Sequence, residues 1–215
     1  MHPEIIAWSI LIWRSIRGNF GWMSWNLFLA FVPLILSLWL FRKQQSRSII
    51  WWLGFLVFIA FLPNAPYVLT DIIHLVQDVR TTYSVWIITL AVIPQYIIFC
   101  LAGFGAYVIS LINLGYYLRS IGRRKWILPT ELTLHFLSAI GVYLGRFKRF
   151  NSWDFITQLD ELAATVDDLV AKRPLLVIFI TFTIITGLYW ISKQIILAIS
   201  IYRNSKKSDI YSIDS

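Results

Sequence analysis

The stretch FLPNAPYVLTDIIHLVQD, from Phe61 to Asp78, interrupts a chain that is otherwise a succession of apolar runs. Pro63 stops one run, because proline lacks the N–H that would continue a helical hydrogen-bond ladder. A turn follows in which Asn64 or Ala65 caps a new helix, with Pro66 in its first turn, where a missing N–H costs nothing. The helix expected over residues 66–80 is amphipathic. Thr70, Asp71, His74, Gln77 and Asp78 fall on one stripe, opposite Val68, Leu69, Ile72, Ile73 and Val76. It is too short and too polar to cross a bilayer, so the expectation is a helix at the interface or dipping back into a bundle. Ionisable side chains in so apolar a setting mark a candidate site.

Outward from this stretch, composition decides the class. Of the 215 residues 58% are hydrophobic and only 14% charged, against about a quarter charged in soluble domains. Several uncharged runs approach the ~20 residues that cross a bilayer. The expected fold is all-α: one polytopic membrane domain over residues 1–215, with about five transmembrane helices and short interfacial, amphipathic helices. Spans are expected at about 22–41, 48–62, 83–118, 129–144 and 174–202, within a bundle over 22–202. The third run is longer than a span needs and must tilt, kink at Pro94 or project. Ala102, Ala106 and Ser110 recur along it at a spacing suited to close helix contact. Residues 1–20 read as an interfacial helix with Trp8 and Trp13 at headgroup level rather than a cleaved signal. A second amphipathic helix is expected over 152–171, and a polar tail over 203–215.

The net charge of +8 does not point to nucleic acid, because Lys and Arg cluster at the ends of apolar runs, as topology determination requires. Residues 42–47, 119–125 and 203–207 are basic and fall on one side of a five-span chain. The positive-inside rule makes that side the cytoplasm, with the N-terminus outside and the C-terminus inside. Arg14, Arg17, Arg146, Lys148 and Arg149 would then lie outside, against the rule. The ends of the second and fourth spans share a side, so Asp71 and His74 meet Arg146, Arg149 and Asp154 there, and Asn26 enters the first span from the same side. Cys100 is the sole cysteine, so no intrachain disulfide forms; it reads as a small buried residue.

Three strings, WNLFLAFVPL (Trp25 to Leu34), FLPNAPYVLTDIIHL (Phe61 to Leu75) and GVYLGRFKRFNSWD (Gly141 to Asp154), resemble a family of bacterial multi-spanning membrane proteins, the domain of unknown function 1361. The likeness covers most of the chain from about Trp22 to Tyr202 and includes Asn26, Asn64, Tyr67, Thr70, Asp71, His74, Arg146, Arg149, Asn151, Trp153 and Asp154. It implies a multi-pass protein of the bacterial plasma membrane and carries no activity with it.

Each candidate has a plain structural reading beside the functional one. Asp71 and His74 are candidate catalytic groups, and with Asp78 a candidate set of ligands for a divalent metal; the same three also suit the wet stripe of an interfacial helix. Arg146, Lys148 and Arg149 suit a phosphate clamp or snorkelling at a span end. Asn26, Asn64, Tyr67, Asn151 and Asp154 are further substrate-binding candidates, although Asn64 and Tyr67 also suit a turn and Asp154 a helix cap. Glu131 and His135 share a face of the fourth span, as a proton relay or as structural groups. A haem between His135 and His74 is disfavoured, because they lie toward opposite membrane faces. No nucleophile elbow, phosphate-binding glycine loop or HExxH string occurs. The chain therefore reads as a membrane protein whose polar face binds a lipid headgroup or a membrane-protein partner. The alternative is a membrane enzyme acting on a phosphate-bearing or lipid-linked substrate, and a transporter fits less well for want of an internal repeat.

Overall fold

A computed structural model describes residues 3–43, 47–81, 84–150, 169 and 171–213, with side chains over 9–43, 47–80, 84–150, 169 and 171–203. Among these residues the secondary structure is entirely helical. Helix α1 spans Pro3–Leu38 and α2 Ile49–Phe61. Then come the short α3, Asn64–Tyr67, and α4, Ile72–Thr81. The single turn α5, Val85–Ile87, precedes α6, Ile93–Ser120. Helix α7 is Ile127–Tyr143 and α8 is Lys172–Ile213. Five helical runs, Ser9–Lys43, Ile49–Arg80, Val85–Ser120, Arg124–Lys148 and Lys172–Arg203, are long and apolar enough to cross a membrane. The expected all-α, five-span architecture is thus present.

The runs are longer than the sequence reading allows. Helix α1 runs unbroken from Pro3 through residue 21 to Leu38, and helix continues beyond residue 203 as far as Ile213. The second run advances antiparallel to α1. Trp51 donates to the carbonyl of Leu40 at 3.1 Å, Asp71 accepts from Asn26 and Asp78 accepts from Asn19. Residues 64–81 therefore carry on along α1 past Pro63 instead of turning aside as a free interfacial helix. Of the apolar stripe, Ile72 and Ile73 face outward, 54% and 50% exposed, whereas Val68 is buried against α6; Asp71 and Asp78 of the polar stripe face α1 and its neighbours. That is the arrangement expected where the surroundings are lipid, which welcomes the apolar face. The amphipathic helix expected over 152–171 lies almost wholly outside the described residues.

Three π-helical turns punctuate the spans, at Trp39–Lys43, Ile88–Val92 and Leu144–Lys148. The second precedes Pro94, whose missing N–H breaks the regular ladder there; the third run stays a single helix, and Pro94 adjusts it locally. At the far end of α6, Gly122 takes φ 75° while its N–H bonds Arg119 and that of Arg123 bonds Leu118. This double closure of the last turn needs the left-handed position that glycine adopts without strain.

Helix α1 packs chiefly on α6 and α2, and α7 chiefly on α8, with α3 and α6 joining the two groups. The joint depends on close approach. A Cβ at Gly141 would stand 2.6 Å from the Pro63 ring, and one at Gly103 2.7 Å from the Val68 methyls. Ala106 and Ser110 are buried as the small-residue spacing predicts, with Gly103 rather than Ala102 at the tightest point. Gly141→Ala should therefore lower stability by about 1–3 kcal/mol through overpacking against a rigid ring. Gly187→Ala, where nothing lies within 4 Å, should be neutral or gain about 0.5–1 kcal/mol of helix propensity. Thermal unfolding of both variants in one detergent measures the contrast.

Candidate functional site

The site is built where the second run is interrupted. Helix α2 closes with Leu62 bonded to Phe58, and Ala65 bonds back to Leu62, which takes the carbonyl of Phe61 out of the regular ladder. The Asn64 side chain donates to that carbonyl at 3.0 Å. Asn64 thus builds the turn, one of the readings open from sequence. Residues Val68–Asp71 then wind as a 3₁₀ helix, turning each residue by about 120° rather than 100°. This tighter winding directs Thr70 and Asp71 toward α1 and the end of α7.

Asp71 is 1% exposed, and both its oxygens are engaged. One accepts from Asn26 Nδ2 of α1 at 2.8 Å. The other accepts from Arg146 Nη2 at 2.6 Å. The Thr70 hydroxyl donates to the carbonyl of Tyr67 at 2.7 Å and accepts from Arg146 Nη2 and Nε at 2.7 and 3.1 Å. The guanidinium also lies over the Tyr67 ring, 4.8 Å from its centroid. Gly145 lets the strand of chain bearing Arg146 come this close, since a Cβ there would meet the same ring at 3.1 Å. Five side chains from three spans, Asn26, Tyr67, Thr70, Asp71 and Arg146, are therefore brought together as span parity requires. The Arg146 side chain remains 22% exposed.

Not every candidate joins. His74 points toward α1, its ring 5.0 Å from that of Trp22, and its Nδ1 meets Gln77 Oε1 at 3.2 Å. Asp78 accepts from Asn19 at 2.8 Å and from the Tyr96 hydroxyl at 3.1 Å. Asp71 and Asp78 bond across helices, whereas His74 bonds within its own helix and packs on Trp22. Among the described residues no group of three His, Cys, Asp or Glu side chains is placed to hold a metal ion. The 3₁₀ winding and separate donors for Asp71 and Asp78 account for this. Arg149 is exposed and takes φ 61° as it turns the chain out of α7. Asn151 and Asp154 lie outside the described residues. Asn19 and Tyr96 were not singled out from the sequence, since single polar residues in apolar helices carry no spacing signal.

A second polar cluster sits between α6, α7 and α8. Glu131, 6% exposed, accepts from the Tyr189 hydroxyl and from Lys193 Nζ, each at 2.6 Å. His135 Nδ1 meets the Tyr107 hydroxyl at 2.7 Å, and its ring stands edge-on to Tyr189 at 4.6 Å. Glu131 is thus partnered by Lys193, four residues beyond Tyr189 on α8. Lys193 is not among the sequence candidates, and a lysine inside an apolar span is the signal that could have found it. His135 and His74 stand in separate clusters.

A family model described as "Protein of unknown function (DUF1361)" matches residues 25–186 of the chain. No curated protein matches, and no solved structure does.

Removing either member of the Asp71–Arg146 pair should be unequal in cost. Arg146→Ala leaves a buried carboxylate without its cation, worth about 3–5 kcal/mol. Asp71→Ala should cost less, because Arg146 can turn toward solvent. The double variant should fall short of the sum by at least about 1 kcal/mol. Chemical unfolding in detergent of the four proteins of this cycle measures it, and additive losses would show that the two groups act independently.

Proposed function

The chain belongs to the DUF1361 family, and from the site we propose that it is a membrane-embedded binding protein whose Arg146 face receives the phosphate of a lipid headgroup. The observation that carries this reading is the way Arg146 is held. Asp71 and Thr70 fix one edge of the guanidinium, Tyr67 covers one face, and the side chain still reaches the surface. A guanidinium locked in this manner presents its remaining Nη1 end, pre-organised to donate to phosphate oxygens. Lys148 and Arg149 follow on the exposed end of the same turn and add positive charge.

Depth supports the same reading. About 33 Å of helix separates Ile49 from Asp71, and as much separates Arg124 from Arg146, at about 1.5 Å per residue. A hydrocarbon core is about 30 Å thick. With the basic loops at one boundary, Arg146 falls at the other, the level of phosphates. Binding is favoured over catalysis because Asp71 spends both oxygens on fixed donors and His74 packs on Trp22, which leaves neither poised to move a proton. We place the protein in the plasma membrane with the Arg146 face outside, following the basic loops.

Photocrosslinkable phosphatidic acid in nanodiscs, with peptide mapping, tests the proposal. Adducts should map to residues 145–150 and fall about ten-fold in Arg146→Lys, which keeps the charge and loses the fork. Adducts unaffected by Arg146→Lys would overturn it. Capture of another membrane protein at 145–150 would favour a partner-binding face, and conversion of the lipid would favour an enzyme.

A further inference from the structure

A cleft of about 450 Å³ opens between α6 and α8 at the opposite end of the bundle from Arg146. Its volume lies in the range of small-molecule sites, about 300–1,000 Å³. Arg42, Arg119 and Lys193 line it together with one carboxylate, Glu131, and Glu131 is already neutralised by Lys193 at 2.6 Å. The cleft therefore carries an excess of positive charge. Arg42 is held in place rather than swinging free: its Nε donates to Asn113 Oδ1 at 2.9 Å, and its guanidinium lies 3.9 Å over the ring of Tyr116. Asn113 is steadied in turn, donating to Ser37 at 3.0 Å.

The remaining walls are apolar. Ile112, Ile196 and Leu197 line the cleft, and Ile109 and Leu197, each 39% exposed, turn its rim toward the outer surface of the bundle. An occupant must satisfy both features, with an anionic group beside Arg42 and Arg119 and an aliphatic part along α6 and α8. A free anion would leave the aliphatic wall uncovered, and a neutral lipid would leave the cations uncompensated. We propose that this cleft binds a single anionic phospholipid, its phosphate between Arg42 and Arg119 and its acyl chains against Ile109 and Leu197. Basic pockets between membrane helices recognise anionic headgroups through this combination of charge and depth. The site is separate from the Arg146 face in both residues and position, and stands whether or not that face binds lipid.

The test is native mass spectrometry of the full chain released from nanodiscs of equal phosphatidylglycerol and phosphatidylcholine. The protein should retain phosphatidylglycerol in preference, and Arg80→Gln, at an exposed residue that belongs to neither site, should retain it equally. Arg42→Gln with Arg119→Gln should lower the preference about ten-fold or more. Because Arg42 also bonds Asn113, Leu197→Trp provides a second variant that keeps every cation and fills the apolar wall; it should lower retention of both lipids. Equal retention of the two lipids by the unmodified chain would overturn the proposal. So would a preference that survives both variants. Displacement of the lipid by excess inorganic phosphate would show a free-anion site and equally overturn it.

Discussion

A carboxylate withdrawn from water must find donors or leave the structure unstable, and Asp71 finds them on two other parts of the chain. Asn26 belongs to the first span and Arg146 to the end of the fourth. Because both oxygens are used, the three segments are held in one register along the membrane normal and cannot slide past one another. Thr70 and Tyr67 finish the junction by holding the same edge of the guanidinium and covering one of its faces. Helix association in lipid gains nothing from hiding apolar surface, so a polar junction of this kind, together with tight packing, has to supply what a hydrophobic core supplies in water.

Tight packing is what makes the junction geometrically available. Gly141 against Pro63 and Gly103 against Val68 bring backbones to a separation that any side chain would prevent. The turn at Pro63 is therefore gripped from two sides, by α7 and by α6. Its 3₁₀ continuation delivers Asp71 at the level where Arg146 arrives. The second junction, Glu131 with Tyr189 and Lys193, does for α7 and α8 what Asp71 does for the first, second and fourth spans. Each half of the bundle thus has its own buried acid with its own cation.

Much of this was legible in the sequence because lipid imposes few solutions. Run lengths alone predict five helical spans, and the parity of those spans brings Asp71 to the side of Arg146. Pro63 and Pro66 mark the break because their chemistry is local. What was hidden depends on tertiary contact. The continuity of α1 through residue 21 cannot be inferred from Gly18 and Gly21, which are tolerated in a helix that others support. The partnership of Lys193 with Glu131 spans a separation of 62 residues and has no periodic signature. A metal site at Asp71, His74 and Asp78 follows from uniform α-helical geometry, and the 3₁₀ turn at Val68–Asp71 breaks that assumption. The depth of the polar stripe was misjudged for a related reason: amphipathicity shows which face is polar, whereas only packing shows whether water or protein covers it.

The π-helical turn at Leu144–Lys148 bears on how such a chain can change over evolutionary time. A turn of this type accommodates one residue more than an α-helical turn of the same span. Removing one residue between Gly141 and Arg146 while the π turn persists would swing the guanidinium by about 100° around the axis of α7. Arg146 would leave Asp71 while Gly141 kept its contact with Pro63. Sequence drift in the outward-facing positions of this segment is thus cheap, whereas its residue count is under strong restraint.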